Sequence, residues 1–185
     1  MTNGLWGRVF FIFSEVMFFS GLIAAMLALR EDALDWAPLI GGVFEHEAAI
    51  EAEFRPVFFT ILLVASSIPM QLAAFAIRKG NRKQMQWAML VVILIGTAFL
   101  LNQAFEWNDA EFGIGDGPYS ATFYILTGFH GAHVLGGLLF IVILWLRSYL
   151  GHFDAHRNTA VEAATMYWHF VGVVWILVFS LIFLA

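Results

Sequence analysis

The stretch ATFYILTGFHGAHVLGGLLFIVILWL, from Ala121 to Leu146, contains no Asp, Glu, Lys or Arg. An α-helix needs roughly 20 residues to cross a hydrocarbon core of about 30 Å, so this stretch is long enough to span a membrane. Lipid offers the backbone no hydrogen-bond partner, so an apolar stretch of this length must be helical, and it lacks the alternation of a membrane β-barrel strand. The stretch therefore predicts a transmembrane helix.

Four other apolar stretches of similar length lie at Gly7–Leu29, Pro56–Ile77, Trp87–Phe105 and Ala164–Leu184. They leave little of the 185 residues for a soluble domain, and the chain is 61% hydrophobic and only 12% charged. We predict an all-α bundle of five transmembrane helices that forms one domain over residues 1–185. The first stretch is too long for a cleaved signal peptide, so we expect it to be retained. The absence of cysteine excludes disulfides and thiolate ligands.

The charged residues predict the orientation of the bundle, because Lys and Arg concentrate on the cytoplasmic side of short connections. Seven of the nine basic residues fall on one side of the predicted bundle: Arg8, Arg78, Lys79, Arg82, Lys83, Arg147 and Arg157. Eleven of the fourteen acidic residues fall on the other side, together with Arg30 and Arg55: Glu31, Asp32, Asp35, Glu45, Glu47, Glu51, Glu53, Glu106, Asp109, Glu111 and Asp116. We therefore predict a cytoplasmic N-terminus and an external C-terminus. The acidic connection from Arg30 to Arg55 is either a docking surface for a basic soluble partner or a solvated loop without one.

Glu15 is the clearest ionisable residue inside a predicted span, where a buried charge is expensive. Counting about 1.5 Å per residue from Trp6 puts its carboxyl group roughly 13 Å deep. The group is either a proton-exchanging carboxyl or a neutral side chain that holds two helices together. His169 lies at a similar counted depth, so we predict that it pairs with Glu15.

His130 and His133 are three residues apart in the fourth span and project from nearly the same face of a helix. With His169 they would supply three imidazoles to a metal ion. The counted depths of His133 and His169, about 21 Å and about 9 Å, do not match. We therefore favour hydrogen bonds from these imidazoles to neighbouring helices over a metal site.

Two further features predict how the helices pack. Small residues should form a groove in the fourth helix that lets another helix approach; they are Gly128, Gly131, Ala132, Gly136 and Gly137. Pro69 lies near the middle of the second span and should kink it. The sequence contains no phosphate-binding loop, nucleophile elbow or basic nucleic-acid patch, so we expect no nucleic-acid partner.

Three segments carry a family resemblance: WGRVFFIFSEVMFFSG (Trp6–Gly21), GFHGAHVLGG (Gly128–Gly137) and YWHFVGVVW (Tyr167–Trp175). Together with GNRKQM, NQAFEW and GDGPYSATFYILTGFHG, in this order along nearly the whole chain, they resemble subunit III of the haem-copper oxidases, the cytochrome c oxidase family. Longer family members have seven helices, and this chain resembles the five-helix bacterial form that lacks the first two.

The resemblance implies a non-catalytic integral subunit of a proton-pumping terminal oxidase, with no redox centre of its own. Such a subunit stabilises subunit I, binds phospholipid and supports proton uptake in a bacterial plasma (inner) membrane. Haem and copper are then expected in partner subunits I and II, a small subunit IV is a further expected partner, and cytochrome c binds the complex rather than this chain. The residues that fall on family positions are Glu15, Glu106, His130, His133, Glu162 and His169.

One position departs from the family pattern. Relatives commonly carry Asp in WHFVDVVW, where this chain has Gly172. Relatives that oxidise quinol tend to carry a different acid at the position of Glu15, which favours cytochrome c as the electron donor. The alternatives are a quinol oxidase subunit III, an accessory subunit of nitric oxide reductase, and a small transporter that uses Glu15 as a proton-coupled carboxylate, although we find no internal repeat.

Overall fold

The computed structural model describes residues 3–33, 36, 39–40, 43–44, 54–155 and 157–183. These residues form six α-helices and one short pair of antiparallel strands. In chain order the elements are α1 (Asn3–Asp32), β1 (Leu39–Ile40), β2 (Val43–Phe44), α2 (Phe54–Ala65), α3 (Ser67–Arg78), α4 (Arg82–Asp109), α5 (Pro118–Tyr149) and α6 (Thr159–Phe183). In the strand pair, Leu39 lies opposite Phe44 and Ile40 opposite Val43.

Five helical spans are long and apolar enough to cross a membrane, which confirms the predicted all-α bundle. Four of them are single helices, namely α1, α4, α5 and α6, and the fifth runs through α2 and α3 from Phe54 to Arg78. The helices extend past the apolar stretches, because polar residues at their ends continue the backbone hydrogen bonding. The predicted end of the last span, Leu184, lies outside the described residues.

The second span is interrupted where the sequence predicts a kink. α2 ends at Ala65 and α3 begins at Ser67, with Ser66 between them. Pro69 cannot donate a backbone hydrogen bond to Ala65, four residues earlier, and its ring crowds that carbonyl group. Helical bonding resumes one residue later, where Met70 N donates to Ser66 O at 3.2 Å. The interruption therefore follows directly from Pro69.

The core of the bundle lies around α6. This helix packs against α5, α3, α2 and α1, while α4 lies against α3, α5 and α2. Trp168 of α6 is 1% exposed, and Phe99 of α4 and Phe123 of α5 are equally enclosed. α1 contacts only α5 and α6 among the described helices, so it lies at the edge of the bundle.

The small residues of α5 that were predicted to form one groove face different neighbours, and aromatic rings approach two of them, Gly128 and Gly137. A Cβ atom on Gly137 would lie 2.8 Å from Tyr167 Cε1 and 3.2 Å from the Trp168 ring. A Cβ atom on Gly128 would lie 3.4 Å from Trp107 Cη2, whereas one on Gly136 would meet no atom within 4 Å. Gly137 therefore brings α6 close to α5, and Gly136 does not.

Ion pairs join helices at both ends of the bundle. We call the end where α1 and α6 begin the basic end. There Glu162 accepts from Arg78, with Nη2 and Oε1 2.9 Å apart. At the opposite end Arg55 Nη1 lies 3.1 Å from Asp109 Oδ2. The acidic docking surface predicted between residues 30 and 55 falls mainly outside the described residues.

Candidate functional site

A carboxyl group and an imidazole join α1 to α5 within the membrane-spanning part of the bundle. Oε2 of Glu15 lies 2.8 Å from Nε2 of His133, and each side chain is about one-fifth exposed, at 20% and 19%. We call these two residues the Glu15–His133 pair. Because a lone ionised group is costly in hydrocarbon, this direct contact is the arrangement expected for two titratable side chains at this depth.

The hydrogen bond of the second ring nitrogen of His133, Nδ1, shows how many protons the Glu15–His133 pair holds. Nδ1 lies 2.6 Å from the carbonyl oxygen of Phe129, and a carbonyl group can only accept, so Nδ1 carries a hydrogen. The 2.8 Å contact then needs one more proton, which lies either on Glu15, donating to Nε2, or on Nε2, donating to the carboxylate. In both states the pair is neutral overall and shares one proton.

Aromatic side chains hold His133 in place. The ring of Phe19 meets the imidazole edge to face with centroids 4.9 Å apart, and the ring of Phe18 stacks on it at 6.0 Å. Tyr167 of α6 donates its hydroxyl hydrogen to the backbone carbonyl of His133 at 3.0 Å. Sequence reasoning missed Tyr167, although it lies inside the YWHFVGVVW segment. The two phenylalanine rings restrict how the imidazole can turn, and Tyr167 fixes the backbone that carries it.

The predicted partnership between Glu15 and His169 is wrong. His169 Nε2 lies 3.1 Å from Gln71 Oε1 on α3, and Glu15 pairs with His133 instead. The depth count assumed that all spans end at one level. Phe140, however, lines the same groove as Arg8 near the start of α1, and α5 continues nine residues further to Tyr149. The depth of His133, which was counted from the end of the apolar stretch near Leu146, was therefore too large.

The three histidines do not meet, so the alternative of a three-histidine metal site is not supported. His130 is fully buried, with its ring stacked on Trp175 at 4.6 Å, while His133 and His169 bond to Glu15 and Gln71. Across the described ranges no group of three or more His, Cys, Asp or Glu side chains could hold a metal ion. His133 and His169 hydrogen-bond to neighbouring helices, as the favoured prediction had it. For His130 that prediction is wrong, because neither of its ring nitrogens has a hydrogen-bond partner among the described residues.

The two remaining predicted site residues lie elsewhere. Glu162, in the first turn of α6, accepts from Arg78 Nε at 3.0 Å and lies 3.7 Å from Arg8 Nη1, so it ties α1, α3 and α6 together at the basic end. Glu106 is partly buried near the opposite end of α4, where its carbonyl accepts from the Ala110 N–H at 3.1 Å.

An open groove of about 530 Å³ lies beside the pair, between α1, α5 and α6. We call it the α1 groove. Its lining is apolar except for Arg8 and the Tyr167 side chain: Gly7, Arg8, Phe11, Ile12, Gly136, Phe140, Ala163, Met166 and Tyr167. The guanidinium group of Arg8 lies toward the basic end, so the groove combines an apolar wall with a positive charge at one end.

Gln71 of α3 and Gly172 of α6 lie where these two helices pack against each other. The amide of Gln71 was missed because sequence reasoning considered ionisable residues and passed over a neutral side chain within an apolar stretch. Gly172 is buried, and a Cβ atom there would lie 3.5 Å from Ser67 Oγ, an ordinary contact distance. A longer polar side chain at position 172 would therefore face the Ser67 hydroxyl.

The fold and these side chains define a multi-pass membrane protein whose described part has polar contacts between helices and no cluster of metal ligands. The family model for cytochrome c oxidase subunit III matches residues 1–185. Relatives named cytochrome c oxidase subunit 3 from Hippopotamus amphibius and Dugong dugon are each 38% identical over 180 residues, covering 96% of this chain and 68% of the relative. A relative of the same name from Ceratotherium simum is 37% identical over the same length. The chain belongs to the cytochrome c oxidase subunit III family, which confirms the resemblance.

Proposed function

We propose that this chain is a non-catalytic integral subunit of a proton-pumping terminal oxidase that passes electrons from cytochrome c to oxygen. Haem and copper belong to partner subunits I and II, a small subunit IV completes the complex, and cytochrome c binds the complex rather than this chain. The membrane is a bacterial inner membrane, and the basic end of the bundle faces the cytoplasm. Membership of the subunit III family and the five apolar spans support this proposal.

The role of the chain is to support proton uptake by its partners, and the Glu15–His133 contact of 2.8 Å carries this part of the proposal. The pair is neutral overall and holds one proton between two acceptor atoms, so the proton can pass from one residue to the other without a change in net charge. Release of this proton to a partner is balanced by uptake of a replacement proton, which keeps an isolated charge out of the lipid. Tyr167 and Phe129 hold the backbone and ring of His133 in position while the proton moves.

The test compares Glu15→Gln with Glu111→Gln in the purified complex with its partner subunits. Gln keeps the size and hydrogen bonding of Glu15 but has no carboxyl proton to exchange. We expect Glu15→Gln to slow oxygen uptake and to reduce the number of turnovers before activity is lost. Both effects should grow as the pH rises. Glu111 is exposed in a connection outside the helices, so its variant should match wild type. Wild-type behaviour of Glu15→Gln across the pH range would leave the pair a packing role only.

Phospholipid binding is the second part of the role, and we place one lipid in the α1 groove. The volume of about 530 Å³ and the apolar wall suit an acyl chain, and Arg8 suits an anionic headgroup. Gly136 lines this groove and has open space where a Cβ would lie, so Gly136→Leu should place apolar atoms in the space that the lipid would occupy.

The matched control is Gly21→Leu, because Gly21 of α1 also has open space around its Cβ position and does not line the groove. We expect native mass spectrometry of the complex to show less retained phospholipid in Gly136→Leu than in Gly21→Leu. Equal lipid retention in the two variants would remove the α1 groove as the lipid site.

The cysteine-free sequence allows a direct test of orientation. Single cysteines are introduced at Lys79, at the basic end, and at Ile114, in the connection at the opposite end; both positions are exposed. A membrane-impermeant maleimide added outside intact cells should label Ile114→Cys and spare Lys79→Cys. The reverse pattern would place the basic end outside.

A further inference from the structure

Two buried polar side chains in the core have nitrogen atoms without a hydrogen-bond partner. Among the described residues these atoms are Nε2 of Gln103 and both ring nitrogens of His130. His130 is 0% exposed and Gln103 is 6% exposed. Buried polar groups in native structures are nearly always hydrogen-bonded, so two such residues require a physical explanation.

The two side chains belong to neighbouring helices, Gln103 to α4 and His130 to α5, which pack against each other. The His130 ring meets the edge of Phe99 at 5.9 Å, and Gln103 lies four residues after Phe99 on the same face of α4. Further along, Trp107 of α4 donates to Thr127 of α5 at 3.1 Å. Gln103 is thus enclosed between the level of His130 and the level of Thr127.

The surrounding protein groups are already engaged. Thr127 accepts from Trp107 and donates to the carbonyl of Phe123 at 2.6 Å, so its hydroxyl hydrogen is used. Trp175, which stacks on the His130 ring, donates its indole N–H to Thr60 at 2.9 Å. Neither side chain offers a new donor to the imidazole.

The chemistry of the unpartnered atoms matches a water molecule. A neutral imidazole has one N–H donor and one acceptor nitrogen, and the Gln103 amide nitrogen supplies only donors. A water molecule accepts two hydrogen bonds and donates two, and buried water typically has two to four polar partners. We propose that His130 and Gln103 form an internal site for ordered water that bridges α4 and α5. One water accepts from the Gln103 amide and donates to the acceptor nitrogen of His130, and the ring N–H of His130 donates to water in the same site.

This site is independent of the proton-uptake proposal, and it gives His130 a different task from His133. His133 lies at the edge of the bundle and pairs with a carboxyl group, whereas His130 is enclosed by Phe99 and Trp175. The ring therefore acts as a neutral polar group that holds a fixed water molecule in an aromatic layer.

The first test is a high-resolution density map of the purified complex containing this chain. We expect a water peak within about 3 Å of a His130 ring nitrogen and of Gln103 Nε2. Ordered side chains with no peak between them, or a direct bond from Gln103 to His130, would overturn the proposal.

The second test is a double-substitution cycle with His130→Phe and Gln103→Leu, read as the apparent thermal midpoint at one scan rate. Each single variant should lower the midpoint by about 3 °C, because it leaves the remaining polar group and its water with one partner fewer. The double variant removes the whole site, so its midpoint should fall by less than the sum of the two single losses. If each single variant raised the midpoint and the two effects were additive, the nitrogens of His130 and Gln103 would not share a water molecule, and the proposal would be wrong.

Thr165→Val is the matched control for this cycle. Thr165 is 4% exposed, and its hydroxyl donates to Val161 within its own helix at 2.9 Å. Combined with His130→Phe it should be additive, since the two residues share no polar group. Non-additivity in the control as well would attribute the coupling to general repacking and overturn the cycle as support for the water site.

Discussion

α1 and α6 are both apolar spans, yet they are attached to the bundle in different ways. Half of the most apolar window of α6 is buried, against 11% for α1. α6 places Trp168 and Trp175 in the core, where they are 1% and 2% exposed. α1 is attached through a few separate contacts, which include Phe19, Met26 and the Glu15–His133 pair.

The difference shows what holds a helix in a bilayer. Lipid tails are as apolar as the side chains they replace, so burial of apolar surface between helices gains little, and close packing or hydrogen bonds must hold helices together. α6 uses close packing, with Gly137 admitting two of its rings. α1 combines polar contacts with only two buried apolar side chains among its described residues, Phe19 and Met26, and leaves the α1 groove open beside them. Substitutions should therefore affect the two helices in different ways.

The largest expected effect is at Trp168, the largest fully buried side chain of α6. Trp168→Ala leaves a cavity in the core and removes the bond from its indole N–H to Ser66 Oγ at 2.8 Å. We expect a loss of about 3 kcal/mol in the free energy of unfolding, measured by SDS titration of the purified protein, at the low end for such a truncation because lipid reduces the transfer term.

The control for Trp168→Ala is Trp87→Ala. Trp87 is 71% exposed near the start of α4, so its loss should cost no more than about 0.5 kcal/mol. Similar losses in both variants would mean that α6 does not depend on close packing, and the contrast between the two helices would fail.

A pair of adjacent glycines gives the next largest effect. Gly137→Ala places a Cβ 2.8 Å from Tyr167 Cε1, so rings must move, and we expect a loss of about 2 kcal/mol. Gly136→Ala meets no atom within 4 Å and should be neutral or stabilise the helix by up to about 1 kcal/mol. SDS titration of both variants measures the difference. Equal stabilities would indicate that α6 moves away from α5 at no cost.

The polar attachment of α1 is tested by His133→Ala, with His169→Ala as its control. Each removes one imidazole from a contact between helices and should cost about 1 kcal/mol in SDS titration. Only His133 shares a proton with Glu15, at 2.8 Å. The reactivity of Glu15 toward a hydrophobic carbodiimide should therefore change in His133→Ala and remain at the wild-type level in His169→Ala. If the reactivity of Glu15 changed in His169→Ala and not in His133→Ala, Glu15 would pair with His169 instead of His133.

The outcome at these histidines shows which parts of the structure the sequence could predict. The five spans and the break at Pro69 follow from local properties, namely apolar length and a missing N–H, so they were predictable. The partner of Glu15 depends on which helix lies beside α1 and on how the ends of neighbouring helices are offset. Neither quantity is local, because both are set by packing: Phe140 lies at the level of Arg8, although the apolar stretch of α5 continues from Phe140 to Leu146.

The smallest expected effect is at Glu162, which joins the start of α1 to α3 and α6. Glu162→Gln removes the ionic part of its contacts with Arg78 and Arg8, whose side chains are 50% and 19% exposed. Partly exposed ion pairs contribute about 0.5 kcal/mol, and salt screens them. The difference in free energy of unfolding between Glu162→Gln and wild type should therefore shrink as salt is raised from about 0.05 to about 0.5 M, where the Debye length is below about 8 Å.

Asp109→Asn is the control for Glu162→Gln, because its pair with Arg55 lies at the opposite end and does not involve α1. If Glu162→Gln cost more than His133→Ala and released α1 selectively, the charges at the basic end would be the main attachment of that helix. The Glu15–His133 pair would then be free to change its hydrogen bonding without loosening α1. If the effect is as small as expected, the pair carries the attachment, and any rearrangement around Glu15 during proton exchange is limited by the need to keep α1 in place.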